Sequence, residues 1–167
     1  MKTRITGLML CLALTAWNAF ADNNKGGFET QLVGSAPGEH VAGIASSSTQ
    51  WKVADGEVKV STNGSIDVEI KGLLFAAGPN INTVGPVTMV DASLVCGDVV
   101  AATTKAFALT TVGNAELHDT IRVPSPCIAP AVLIRLAATT TGPVANGFFI
   151  AVNTLSNGGQ EQGHGKD

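Results

Sequence analysis

The sequence predicts an all-β fold, a single antiparallel β-sandwich of about seven to nine short strands, immunoglobulin-like or jelly-roll-like in its connections. Three observations carry this. Apolar and polar residues alternate with period two in segment after segment, no stretch holds a 3.6-residue pattern, and Gly, Pro and Asn punctuate the chain at short intervals. A length of 167 residues suits one domain.

The first element is not part of that domain. Lys2 and Arg4 precede an apolar stretch over 5–16, and Ala19-Phe20-Ala21 offers small residues for a signal peptidase, so residues 1–21 read as a signal peptide cleaved between Ala21 and Asp22. A membrane anchor would need about 20 apolar residues, more than this stretch holds. The domain is expected over 22–155. Beyond it, 156–167 contains no large apolar side chain and reads as a disordered polar tail.

Within the domain, Glu57-Val58-Lys59-Val60 and Ile66-Asp67-Val68-Glu69-Ile70 each place their apolar residues on one face. Asn63-Gly64 between them suggests a type I′ hairpin turn. Upstream, 50–54 followed by Asp55-Gly56 suggests a third strand of a meander, with Trp51 at the core edge. Further strands are expected over 87–96, 106–111, 115–123, 131–138 and 148–153. In 115–123, Leu117 and Ile121 face the core, Glu116 and His118 face outward, and Asp119 interrupts the inner row. Pro124 and Pro126 should end that strand and leave Cys127 in an irregular connection.

Cys11 departs with the signal peptide, leaving Cys96 and Cys127 as a pair suited to one disulfide in an oxidising compartment. An immunoglobulin domain proper would carry a Trp between them, and this chain has none there. Trp51 to Phe75, Ser93-Leu94-Val95-Cys96-Gly97 and Pro124-Ser125-Pro126-Cys127 together resemble small secreted bacterial β-sandwich proteins of uncharacterised function. That resemblance brings no catalytic or binding residues with it.

Composition narrows the function classes. Ten Lys and Arg stand against thirteen Asp and Glu, so no basic excess exists to neutralise nucleic acid. Charged residues make up only 14%, against roughly 25% in ordinary domains, which leaves a surface of Thr, Ser, Asn, Gly and Ala. No second apolar run is long enough to enter a membrane once the signal is removed; the richest, 131–138, is broken by Arg135.

Chemistry is sparse. His40, His118 and His164 share no metal-ligand spacing, and neither Cys has a His nearby. Gly34-Ser35-Ala36-Pro37-Gly38 misses the nucleophile-elbow pattern by one position. His118 and Asp119 are neighbours on a strand and so point to opposite faces, which removes them as a catalytic pair. The expectation is therefore an exported, non-enzymatic β-sandwich module that uses no cofactor and binds an unknown protein or extracellular ligand, or plays a structural role, in the periplasm or outside the cell. Two alternatives remain. One is a secreted hydrolase, for which Glu116, His118 and Asp119 are the first residues to substitute; the other is a subunit that assembles by strand addition, as pilins do. The 78–86 connection, with Pro79, Asn80, Asn82 and Pro86, is the loop most suited to an accessory or inhibitory role.

Overall fold

The computed structural model describes residues 27–137 and 147–154. The expected signal peptide, its Ala21/Asp22 cleavage site and the polar tail lie outside the described residues. Those described form an all-β structure with no helix. In chain order the strands are β1 (Gly27–Gly34), β2 (His40–Val41), β3 (Ile44–Ala45), β4 (Trp51–Lys52), β5 (Asp55–Ser61), β6 (Ser65–Lys71) and β7 (Leu74–Phe75). They continue with β8 (Met89–Cys96), β9 (Val99–Thr103), β10 (Phe107–Ala108), β11 (Ala115–Thr120), β12 (Pro130–Leu136) and β13 (Phe149–Asn153).

Nine strands make one antiparallel sheet in the order β10-β8-β12-β13-β1-β5-β6-β11, with β9 beside β8. The sheet curls on itself, and its ends meet: β10 lies against β11. There the Lys105 amide donates to Asp119 Oδ2 at 3.2 Å. Asp119 thus breaks the inner row as expected, and its carboxylate is used to tie the two ends of the sheet together. The amide of Thr120 first, and that of Lys105 second, hold that carboxyl below its ordinary range.

The curl has one hinge, β1. Its residues Gly27 to Gln31 pair with β5, whereas Leu32 to Gly34 pair with β13. The inner faces of the two halves then share one core. Val58, Val60, Ile66, Val68, Ile70 and Leu117 come from one half, and Val90, Leu94, Val132, Ile134 and Ile150 from the other. Alternation along each strand put these residues on one side, and removing them from water is worth about 1.5–3 kcal/mol each.

Two local expectations need correction. The β5–β6 turn is not type I′: Gly64 has φ 93° while Asn63 stays outside the left-handed region, and the Gly64 amide donates to the Ser61 carbonyl at 2.9 Å. Asn63 instead uses its side chain, accepting the Ser65 amide at 3.0 Å, which favours the right-handed conformation over positive φ. Nor does the 50–54 segment join β5 in a meander. Asp55 and Gly56 lie inside β5, and β4 pairs with β7, stacking Trp51 on Phe75 with ring centroids 4.1 Å apart. Trp51 is buried in the core instead of sitting at its edge. Gly34 lets this happen, because a side chain there would strike the Trp51 carbonyl.

Candidate functional site

The two outer faces of the curled sheet differ in kind. On the β5–β6–β11 half the outward residues are charged. One cross-strand row runs Glu29, Lys59, Asp67, His118; the next runs Gln31, Glu57, Glu69, Glu116. The first alternates in sign, and Lys59 Nζ sits 2.9 Å from Glu29. The second sets three carboxylates directly opposite one another, a destabilising arrangement eased by Lys71 at 2.8 Å from Glu69. Glu57 is pushed above its ordinary pKa by Glu29 beside it.

His118 lies between two carboxylates, with Nδ1 2.7 Å from Asp67 and Nε2 3.0 Å from Glu116. Asp67 first and Glu116 second raise its pKa, since both stabilise the imidazolium. Asp119 faces the other way, so Glu116, His118 and Asp119 do not converge. Both ring nitrogens of His118 face carboxylate oxygens, of Asp67 and of Glu116. Among the described residues no group of His, Cys, Asp and Glu is arranged to hold a metal ion.

The opposite outer face, on β8, β9, β12 and β13, is apolar. Val95, Ala131, Leu133 and Phe149 form a second core, which Val41, Ala42, Ile44, Val100 and Val152 complete. The cover is the β2–β3 hairpin, an excursion between β1 and β4. It is fastened at both ends, as the Ser35 and Ser47 amides donate to the carbonyls of Ile150 and Phe149 at 3.0 and 2.9 Å. The Ser46 hydroxyl donates to the Ala36 carbonyl at 2.7 Å and accepts the Glu39 amide at 3.1 Å. Its two-residue turn, Ala42-Gly43, has φ of 50° and 73°. Positive φ at both positions is what a type I′ turn requires, and for Ala it is strained.

The hairpin does not cover the whole face. Between it and the sheet remains a cavity of about 430 Å³, lined by Ala42, Ile44, Val100, Thr103, Arg135 and Phe148 among others. Phe148 stands at its rim, 54% exposed. Arg135, only 6% exposed, points to this face with Ala131 and Leu133 by the alternation of β12. Beside it β13 carries one extra residue, Ile150, so that Ile134 pairs with Ala151 and Arg135 with Phe149.

Arg135 Nε donates to the Gly147 carbonyl at 3.0 Å, and Nη1 to Ser93 Oγ at 3.3 Å. Ser93 Oγ in turn lies 3.4 Å from Asp91 Oδ1 and 3.0 Å from Thr103 Oγ1. Burial pushes the Asp91 carboxyl above its usual range, with Arg135 and Ser93 acting against the rise. A second cavity, of about 450 Å³ beside Phe28, Val123 and Pro124, has no charged side chain on its wall among the described residues.

The remaining residues singled out in the sequence are placed as follows. Cys96, ending β8, is disulfide-bonded to Cys127 in the connection after β11, with Cα atoms 5.0 Å apart. The bond fastens that connection beside β8, where the Gly97 amide also donates to the Ile128 carbonyl at 2.7 Å. The 78–86 loop is exposed except for Val84, and Lys52 Nζ grips it through Asn82 Oδ1 at 2.6 Å. Arg135 was visible in the sequence only as an interruption of an apolar run, which is the one signal that could have found it. No protein family, no curated protein and no solved structure matches the chain.

Proposed function

We propose that the protein is an exported, non-enzymatic β-sandwich module, cleaved after Ala21, that binds a ligand in the periplasm or outside the cell through the cavity under the β2–β3 hairpin. The observation that carries this reading is the convergence at that cavity of a strained turn at Ala42, a bulge of β13 beside Arg135 and a buried guanidinium. Each is costly for folding alone, and such features cluster at functional sites. The Cys96–Cys127 bond is compatible with export, as is the lack of any helix, among the described residues, long and apolar enough to cross a membrane. The sandwich reading treats β1 as a strand shared by two facing layers, supported by its split pairing.

A two-dimensional amide NMR spectrum of the exported protein, screened against a small-molecule library, tests this reading. Ligands should shift Ile44, Val100, Thr103 and Phe148; hits confined to other surfaces, or none, would contradict it. Intact mass should begin at Asp22 and be two hydrogens short of the reduced chain.

A second reading, assembly by strand addition, is favoured by β9, which among the described residues pairs with β8 alone. Its residues Val99 to Thr103 carry no charge. A monomer at every concentration in size-exclusion chromatography would remove this second reading.

A further inference from the structure

We propose that the cavity beside Arg135 takes a small organic carboxylate, its charged group on the guanidinium and its apolar body against Ile44, Val100 and Phe148. The inference rests on reading the cavity as a binding site and adds the ligand class. It begins with the protons of Ser93. That hydroxyl has one proton and two acceptor lone pairs, and three neighbours: Asp91, Thr103 and Arg135. Asp91 as carboxylate and Arg135 as guanidinium fix the assignment. Ser93 donates to Asp91, and accepts from Arg135 and from the Thr103 hydroxyl. Its capacity is then full.

Asp91, opposite Arg135 in the β8–β12 register, therefore meets the guanidinium through Ser93 and not directly. Among the described residues no carboxylate lies within ion-pair distance of Arg135. Partners stand, among the described residues, on two of its five N–H groups, those on Nε and Nη1. A buried charge in this condition is expensive unless it is paired. The fork of remaining donors on a cavity wall matches the two oxygens of a carboxylate, which accepts parallel hydrogen bonds.

The rest of the wall selects among anions. Among the described residues Arg135 is its one charged group, and Ala42, Ile44, Ala45, Val100 and Phe148 supply the apolar part of a wall that is about half polar. A phosphate dianion, strongly hydrated, would find a single cation and few donors; a monoanion with an apolar body finds a partner for each part. The cavity volume of about 430 Å³ falls in the range of small-molecule sites, roughly 300–1,000 Å³. A primary amine would meet the charge of Arg135 and be repelled.

The test is an NMR titration of the full exported protein with sodium hexanoate and sodium phenylacetate, against hexanamide, phenylacetamide and inorganic phosphate. Amides keep the shape and remove the charge. At least one acid should shift the Arg135 Nε–H together with Val100 and Thr103, at an affinity at least ~10-fold above its amide, the loss expected when a charge-assisted pair is removed. Arg135→Met should abolish the difference between acid and amide. Because that substitution touches a buried network, Val100→Trp provides a second variant, filling the cavity from edge strand β9 with Arg135 intact; it should block the acid. Equal binding of acid and amide, tighter binding of phosphate, or an acid response that survives in both variants would overturn the carboxylate assignment. If neither acid binds while library compounds still shift the cavity residues, the ligand class falls and the binding reading stands. If the library is silent there as well, both fall.

Discussion

The outer face of β5, β6 and β11 and the outer face of β8, β12 and β13 are built from the same kind of strand and meet opposite fates. On the first, Glu57, Asp67, Glu69, Glu116 and His118 stand in water, with His118 set between Asp67 and Glu116 and Lys71 against Glu69. On the second, Val95, Leu133 and Phe149 would be exposed, and the chain spends an excursion between β1 and β4 to cover them. The difference teaches where a site can form. A solvated charged face needs nothing further, since water screens its charges, the three carboxylates of one row included. A covered apolar face leaves an incompletely filled margin, and Arg135 is at that margin, its described partners being Gly147 and Ser93.

Substitutions sharpen this contrast, beginning with the strongest. Phe149→Ala empties the layer under the hairpin, and a fully buried Phe truncated in this way costs about 3–5 kcal/mol. Glu69→Ala, on the exposed face, should leave the denaturant midpoint nearly unchanged; equal losses in urea unfolding would break the comparison. Replacing both cysteines, Cys96→Ser with Cys127→Ser, frees a connection closed over 31 residues and should lower stability by about 2–4 kcal/mol. Unchanged unfolding in reductant would show that the connection is held without the bond.

Ala42→Asn should act in the other direction. Asn tolerates the left-handed conformation that Ala42 adopts at φ 50°, so relief of about 1 kcal/mol is expected, read as a rise in Tm. A fall would mean that the turn is not strained, which would weaken the case for the cavity it borders.

The smallest effect is at His118. Its folded pKa is raised above the unfolded value of 6.5, chiefly by Asp67. Its contribution is thus fully present below about 6.5 and lost as pH rises through the folded value. Asp67→Asn should bring the His118 titration, followed by the ring proton shift, back down toward that value. An unmoved titration would place the cause elsewhere on the charged face.

The charged face was legible because its polar residues alternate strictly with Val58, Val60, Ile66, Val68 and Ile70, so one period announces strand, core side and solvent side together. The covered face offered no such pattern. In β12 the run Ala131-Val132-Leu133-Ile134 is apolar on both sides, which predicts a strand buried on two faces and says nothing of what lies on the second. Its cover comes from the β2–β3 hairpin, whose Ala42-Gly43 turn breaks the usual preference for Asn or Asp, while Asn63-Gly64, which obeys it, adopts another turn. Thr30 at an inward position of β1 likewise dilutes the alternation of Phe28 and Leu32. Arg135 meets Ser93 across 42 residues of sequence, a contact that only strand pairing creates. Asp119 was separable in advance from Glu116 and His118, since neighbours on a strand face opposite ways.

The most direct test of this account is a methyl and aromatic NOE spectrum of the protein in solution, because every argument about the cavity depends on the hairpin lying over the second face. Contacts from the Ile44 and Val41 methyls to Val95, Leu133 or Phe149 are the result expected. Their absence, with Phe149 and Leu133 amides exchanging as fast as exposed ones, would mean that the hairpin does not close and that the Arg135 cavity does not exist.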